Sequence, residues 1–385
     1  MDKIFMPSLN VTLPRLGFGC MRLAADYAGN IELQPALKLL HESLDKGVDY
    51  FDTAYVYHSG KAEAFLGKHF FSTLPRHRFM VATKLPVYKV KTPEQCSALF
   101  DEQKNNLCVD YIDFYLAHSL NRHNWQKFRD WGGAECLQRL RQEGQARFVG
   151  FSFHGQPEDL AGIMDDFPWD FVQLQINYYD WPPHTQDARL QYETAAARKM
   201  PLFVMEPVRG GSLANLPGPA AQVLLQAQDN MSQASWAMRW VGGLPEAHMI
   251  LSGMNTPQQL ADNLDVFTDF QPLSAAEQQT VEEVCRLLYA QPHVDCTGCD
   301  YCREACPQRL LIGGAFESYN DFLRLKDERI LRNYMLFNPE DKQSLKCTAC
   351  ASCVPRCPQQ LDIPRELAAL NEKLTEIKER QRKQA

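Results

Sequence analysis

The sequence predicts an α/β chain: a (β/α)₈ barrel of the TIM type, followed by a small, mostly helical, cysteine-rich domain. Three observations carry that expectation. Short apolar runs alternate with amphipathic stretches from about residue 16 to 267. The composition, 45% hydrophobic and 23% charged, supplies a full globular core. Of the 13 cysteines, Cys20, Cys96, Cys108, Cys136 and Cys285 are scattered, while the other eight (13 − 5 = 8) crowd between Cys296 and Cys357.

The apolar runs are LGFGC (16–20), VDYFDT (48–53), FMVATK (79–84), YIDFYLAH (111–118), ARFVGFS (146–152), FVQLQIN (171–177), PLFVME (201–206) and HMILSG (248–253). Runs of this length bounded by polar segments read as buried parallel strands. Between them Leu33–Lys46, Pro93–Asn106, Asp187–Lys199 and Pro257–Phe267 read as helices. Eight βα units over that length close most economically as a barrel. A doubly wound open sheet is the alternative, but LGFGCMRL supplies only G-x-G of the expected glycine fingerprint. Ser274 caps a last helix, Ser274–Tyr289, and composition shifts near Gln291–Pro292. The expected domains are therefore residues 1–290 and 291–365, with a charged helical tail at 366–385.

Forty-seven acidic against 40 basic residues give a net charge of −7. Nucleic-acid binding needs a basic face, so such a partner is not expected. The N-terminus lacks the pattern of a secretory signal, and no apolar run is long enough to span a bilayer. A cytoplasmic protein without membrane insertion is the expectation, and there clustered cysteines point to metal rather than disulfides.

The cysteines form two quartets. Cys296, Cys299, Cys302 and Cys306 precede Pro307; Cys347, Cys350, Cys353 and Cys357 precede Pro358. The C-x2-C-x2-C-x3-C-P spacing presents three thiolates to one iron–sulfur cubane and sends the fourth to its neighbour. Two [4Fe–4S] clusters follow: one on Cys296, Cys299, Cys302 and Cys357, the other on Cys347, Cys350, Cys353 and Cys306. Zinc is the alternative for paired C-x2-C motifs, but leaves the third and fourth cysteines and the proline unexplained. The helical interval SYNDFLRLKDERILRNYMLF makes residues 290–365 resemble the dicluster ferredoxin-type modules fused to larger redox enzymes.

Four polar residues stand at or just beyond strand ends: Asp52, Tyr57, Lys84 and His118. Strand ends converge at the C-terminal mouth of a βα barrel. The set suits carbonyl reduction, in which arriving hydride leaves negative charge on oxygen that a proton must meet. The neighbouring Lys84 ammonium is expected to lower Tyr57 from its usual value near 10. Asp52 would hold Lys84, and His118 would orient the substrate oxygen. Singly, Asp52, Tyr57 and Lys84 are more often structural polar contacts or solvated ends and His118 a satisfied loop histidine; the combination on three consecutive strands is what points to chemistry.

Across about residues 10–270 the sequence resembles the aldo/keto reductase family, through GFGCMRL, D-T-A-x-x-Y at 52–57, Lys84 and His118. The resemblance implies a barrel that binds an extended nicotinamide cofactor, NADP(H) or NAD(H), with Asp52, Tyr57, Lys84 and His118 as tetrad. It assigns cofactor contacts to Cys20, Met21, Arg22 and Asp52, and the carboxamide to Ser152 and Gln175. Met205 stands for the stacking aromatic. Pro207, Arg209, Gly211, Ser212 and Leu213 embrace the pyrophosphate, and Ser252, Gly253, Gln259 and Asn263 meet the adenosine. Phe153 replaces the usual asparagine. The cations that clamp a 2′-phosphate become Gly253 and Gln259, leaving NAD against NADP open, with Arg209 as partial substitute.

The implied activity is NAD(P)(H)-dependent interconversion of an aldehyde or ketone and its alcohol, with clusters serving a redox protein partner. An alternative is an electron-transfer protein whose barrel is a platform for a partner or a flavin, although no flavin signature is present. Another is clusters that are structural or oxygen-sensing. Substrate contacts are expected from loops 121–133 and 178–185, where Trp125, Trp131, Tyr178 and Trp181 would line a pocket or pack in the core.

Overall fold

The computed structural model describes residues 1–26, 29–155, 157–182 and 187–384. By Cα proximity the chain forms two units, Met1–Ala214 with Asn230–Gln278 and Asn215–Asp229 with Gln279–Ala385. None of the described helices is long and apolar enough to cross a membrane.

The first unit opens with an antiparallel hairpin, β1 (Lys3–Met6) and β2 (Val11–Pro14). Eight parallel strands then close a barrel: β3 (Leu16–Gly19), β4 (Tyr50–Asp52), β5 (Met80–Leu85), β6 (Ile112–Leu120), β7 (Ala146–Phe153), β8 (Phe171–Gln175), β9 (Leu202–Met205) and β10 (Ala247–Ser252). Strand β10 pairs with β3, so the sheet has no edge and the open-sheet alternative falls. Each apolar run read from the sequence is one of these strands. The intervening helices include Leu33–Asp45, Pro93–Leu107, Ala188–Ala197 and Pro257–Phe267. Thr92, Asp187 and Thr256 start three of them by accepting from backbone N–H groups three residues on.

Alternate strand residues face the barrel axis, and there they form layers. Tyr50, Phe114, Phe148, Phe171 and Phe203 make an aromatic layer, with Tyr50–Phe114 centroids at 5.0 Å and Phe171–Phe203 at 4.8 Å. Met6, Leu9, Val11 and Leu13 from the hairpin belong to the same buried cluster. The outward-facing Val81, Tyr115, Val149, Val172 and Val204 join the larger core.

The second unit is helical and is built as a repeat. CTGCDYCREACPQRLLI (296–312) and CTACASCVPRCPQQLDI (347–363) each lead into a helix, Ile312–Leu325 and Ile363–Gln384. Their backbones match. Gly298 (φ 69°) and Ala349 (φ 54°) are both left-handed, as are Asp300 (58°) and Ala351 (60°), and Arg309 (54°) and Gln360 (56°). Left-handed alanine costs about 1–2 kcal/mol, so loop geometry rather than residue preference dictates these conformations. Ile363, Leu367, Leu370, Leu374 and Ile377 bury one face of the terminal helix in the unit's core, at the three- and four-residue spacing of a helical stripe. The charged tail is therefore helical, with its buried face extending as far as Ile377.

Candidate functional site

Barrel register gathers the polar strand ends. Asp52 pairs with Ala82, and Lys84 lies two residues further along β5 on the same inward face. Lys84 pairs with Leu116, with His118 two beyond it; Leu116 pairs with Gly150, with Ser152 two beyond. Ser152 pairs with Gln173, Gln175 follows by two, and Gln175 pairs with Met205. This stagger is the shear of the barrel. It sets Asp52, Lys84, His118, Ser152, Gln175 and Met205 on the inward faces at the C-terminal mouth.

Lys84 sits at the centre. Its Nζ donates to Asp52 Oδ1 at 2.6 Å, Thr53 O at 2.8 Å and the Tyr57 hydroxyl at 3.2 Å, one acceptor for each ammonium proton. Gln173 Nε2 donates to the other Asp52 oxygen at 3.3 Å. Tyr57 opens a tight turn followed by three left-handed residues, His58, Ser59 and Gly60. That turn brings its ring edge-on to His118, with centroids 6.5 Å apart. Beneath Lys84, Gln103 Nε2 donates to the Lys84 carbonyl at 3.1 Å and to Glu63 at 2.6 Å, and Tyr115 donates to Gln103. This buried network locks the strand that carries the lysine.

Burial dominates the electrostatics. It pulls Lys84 down, but the charges and hydrogen bonds of Asp52 and Tyr57 more than restore it, so the ammonium is held above its usual value. Burial pushes Tyr57 up more strongly than Lys84 pulls it down, with Asp52 adding to the rise. The expectation of a lowered tyrosine is thus corrected: this phenol keeps its proton. Burial, then the charges of Lys84 and His154, pull His118 to about 3.

The residues assigned to a cofactor surround the same mouth. Cys20 is buried and Met21 is exposed. Arg22 lies along Gly210 and Gly253: a Cβ on Gly210 would stand 2.9 Å from its Nη2, and one on Gly253 would stand 3.3 Å from its stem. Gly210 and Gly211 are left-handed, bending the segment after Pro207 towards Ser212 and Leu213. A glycine turn beside a guanidinium is of the kind that suits a pyrophosphate, although a Cβ on Gly210 would also stand 3.4 Å from Glu206 Oε2. Ser152 Oγ accepts from Ser119 N at 2.8 Å, and Asn263 donates to Ser252 Oγ at 2.8 Å. Gln259 is exposed and accepts from Asn255 N.

Several residues escaped the sequence reading. Asp180, 4% exposed, accepts from Gln175 at 2.8 Å, Asn177 at 2.9 Å and Arg209 Nε at 3.0 Å. Arg209 is thereby tied to a carboxylate. Glu206 directly follows β9 and its charge reaches Tyr57. His154 follows β7, and its backbone N–H donates to Leu120 O. The strand-end rule that found His118 also applies to His154 and Glu206. His154 lines a cavity of about 640 Å³ with Asn121, Arg122, His123, Gln126 and Asp159, so part of loop 121–133 does form a pocket wall. Trp125 and Tyr178 are instead buried, against Phe128 and Trp169 and against Trp240. Residues 183–185 of the second loop lie outside the described residues.

In the second unit Cys296, Cys299, Cys302 and Cys357 line one cavity. Cys353 is pushed up by burial and then by the charges of Cys347, Cys306 and Cys350, which places Cys306 beside the second loop. Gly298 N and Ala349 N each donate to the first sulfur of their loop at 3.4 Å. Among the described residues no three of Cys, His, Asp and Glu converge on a single ion. A cubane takes one thiolate on each iron, and the four cysteines that line the first cavity fit such a group.

Residues 15–286 match the model described as "Aldo/keto reductase family", and residues 295–362 match that of the 4Fe-4S dicluster domain. L-galactose dehydrogenase of Arabidopsis thaliana is 24% identical over 309 residues, 75% of this chain and 95% of that protein. NADH-specific methylglyoxal reductase of Escherichia coli (strain K12) is 22% identical over 310 residues, 69% of this chain and 93% of that protein. Aldo-keto reductase AKR11C1 from Bacillus halodurans, in its holo form, shares the fold with a TM-score of 0.61 at 21% identity, covering 74% of this chain and 96% of that one.

Proposed function

The chain belongs to the aldo/keto reductase family, and on that premise we propose that it reduces a small aldehyde or ketone with NADH or NADPH, Tyr57 delivering the proton. We infer further that its C-terminal unit carries two [4Fe–4S] clusters on the crossed cysteine sets and passes electrons to a redox partner. The observation that carries the first reading is the Asp52–Lys84–Tyr57 chain with His118 edge-on to the phenol.

The nicotinamide, when bound, supplies the hydride. Arg22, Gly211, Ser212 and Leu213 would hold its pyrophosphate, and Ser152 and Gln175 its carboxamide. His118, neutral, donates to the substrate oxygen and fixes it beside Tyr57. As charge develops on that oxygen the phenol gives up its proton, and Lys84 meets the phenolate left behind. Asp52 keeps Lys84 in place and charged. In alcohol oxidation the roles run backwards.

A hydride moves two electrons and a cubane takes one. A second reading therefore keeps the barrel as a binding platform for an electron-transfer module, and the paired cysteine loops favour it. One experiment separates the two. Anaerobically purified protein should hold about eight iron and eight sulfide per chain and oxidise NADH or NADPH when offered small carbonyls. Full iron content with cluster bleaching by NAD(P)H, but no turnover of any carbonyl, would hand the barrel to the second reading. Zinc without labile sulfide would remove the clusters from both.

Two further outcomes are expected. A His118 held at about 3 stays neutral above that value, and Tyr57, raised above 10, stays protonated below it. For carbonyl reduction, kcat/KM should therefore stay level from about pH 5.5 to about pH 9. A limb near 6.5 that disappears in His118→Gln would show that the histidine titrates normally. Neither Gly253 nor Gln259 is a cation, and Arg209 is paired with Asp180. The preference for NADPH over NADH should stay below about a hundredfold, ~2.7 kcal/mol, as measured by the ratio of dissociation constants.

A further inference from the structure

The two cysteine loops share a backbone but differ in sequence, and two of the differing positions stand beside the ligand cysteines. Asp300 in the first corresponds to Ala351 in the second, and Tyr301 to Ser352. Asp300 and Ala351 have nearly the same left-handed φ, 58° and 60°, so their Cβ atoms leave the loop in equivalent directions. Asp300 lines the cavity shared by Cys296, Cys299, Cys302 and Cys357. Its Oδ1 is shielded from solvent without a hydrogen-bond partner among the described residues, while the side chain as a whole is half exposed and Oδ2 pairs with Arg303 at 3.9 Å. Gly313 makes room for this carboxylate, since a Cβ there would stand 2.7 Å from Oδ1. In the second loop Cys350 Sγ, as a thiol, donates to the Ser352 hydroxyl at 3.6 Å; towards a thiolate ligand the hydroxyl would be the donor, and among the described residues Tyr301 has no such contact. Between their first and last cysteines the first loop carries Asp300, Arg303 and Glu304, the second only Arg356.

Both differences act in one direction. Each electron adds a negative charge to a cubane. A facing carboxylate opposes that charge by Coulomb repulsion, whereas a hydroxyl donating to a ligand sulfur stabilises it. We propose that the two clusters have unequal reduction potentials, with Asp300 making the one at Cys296, Cys299, Cys302 and Cys357 the lower and Ser352 raising the other. This rests on the two-cluster reading above. A single electron entering at the first site then moves downhill to the second, with no bond or proton changing place.

The test is a dithionite titration of the full chain, anaerobic and with mediators, followed by electron paramagnetic resonance. The wild type should reduce in two separated steps. Asp300→Asn should move the lower step up and leave the upper one. Ser352→Ala should move the upper step down and leave the lower one. Two clusters that reduce together in the wild type, or an Asp300→Asn shift confined to the upper step, would overturn the proposal. Should Asp300→Asn fail to load, the wild type and Ser352→Ala still decide it. A preparation with iron for fewer than two cubanes would fail the two-cluster reading instead, and the iron assay tells these failures apart.

Discussion

Tyr57→Phe should abolish most carbonyl reduction, lowering turnover by at least the 10²–10⁴ that general acid catalysis typically contributes. The substitution removes one oxygen and keeps the ring, so the edge-on packing against His118 and the position of Lys84 above the ring survive. Nicotinamide affinity should hardly change, because no cofactor contact is assigned to that hydroxyl. The loss should appear in kcat rather than in binding, since the proton is needed only as charge grows on the substrate oxygen. Rapid-mixing turnover with NADH, alongside fluorescence titration of the cofactor, separates the two. The visible iron–sulfur absorbance serves as the internal control. A variant that kept wild-type turnover would strip Tyr57 of its role as the proton donor.

Lys84→Met should be the most destabilising single change in the barrel. Lys84 and Asp52 are 2% and 5% exposed and 2.6 Å apart. Removing the ammonium leaves the Asp52 carboxylate buried with Gln173 at 3.3 Å. Breaking a buried pair from one side costs about 3–5 kcal/mol, a fall in barrel melting temperature on the order of 10 °C. Adding Asp52→Asn should return much of that loss, because the cost lies in the stranded charge rather than in the missing lysine. Two single variants whose melting shifts simply add in the double variant would show that the pair is not coupled.

The barrel was legible because its strands are buried on both faces and therefore written as unbroken apolar runs. The hairpin β1–β2 was not, since its strands of four residues alternate exposed and buried positions below any usable length. The cysteine loops announced themselves by spacing, and the crossed ligand sets are proposed because the fourth cysteine of each loop is set apart by three residues and a proline. Asp52, Lys84 and His118 could be placed at the barrel mouth because the end of a strand is visible as the close of an apolar run. Asp180 was missed because its partners, Gln175, Asn177 and Arg209, converge only after β8 and β9 lie side by side. The direction of the Tyr57 shift was missed for a related reason. Sequence names the neighbouring ammonium, but not the loss of water around the phenol, and burial outweighs the charge.

The crossing of ligands also governs when the C-terminal unit can be completed in the cell. On the proposed assignment, a nascent chain that has released Cys306 still lacks Cys357, 51 residues later (357 − 306 = 51). Until then the first loop offers three thiols, leaving one iron of a cluster loaded there early open to water and oxygen, whereas the second loop already has Cys306 as its fourth ligand. Loading of the first site therefore waits for Cys357. A chain cut anywhere before Cys357 forfeits a ligand and, with it, the closure of the first cavity.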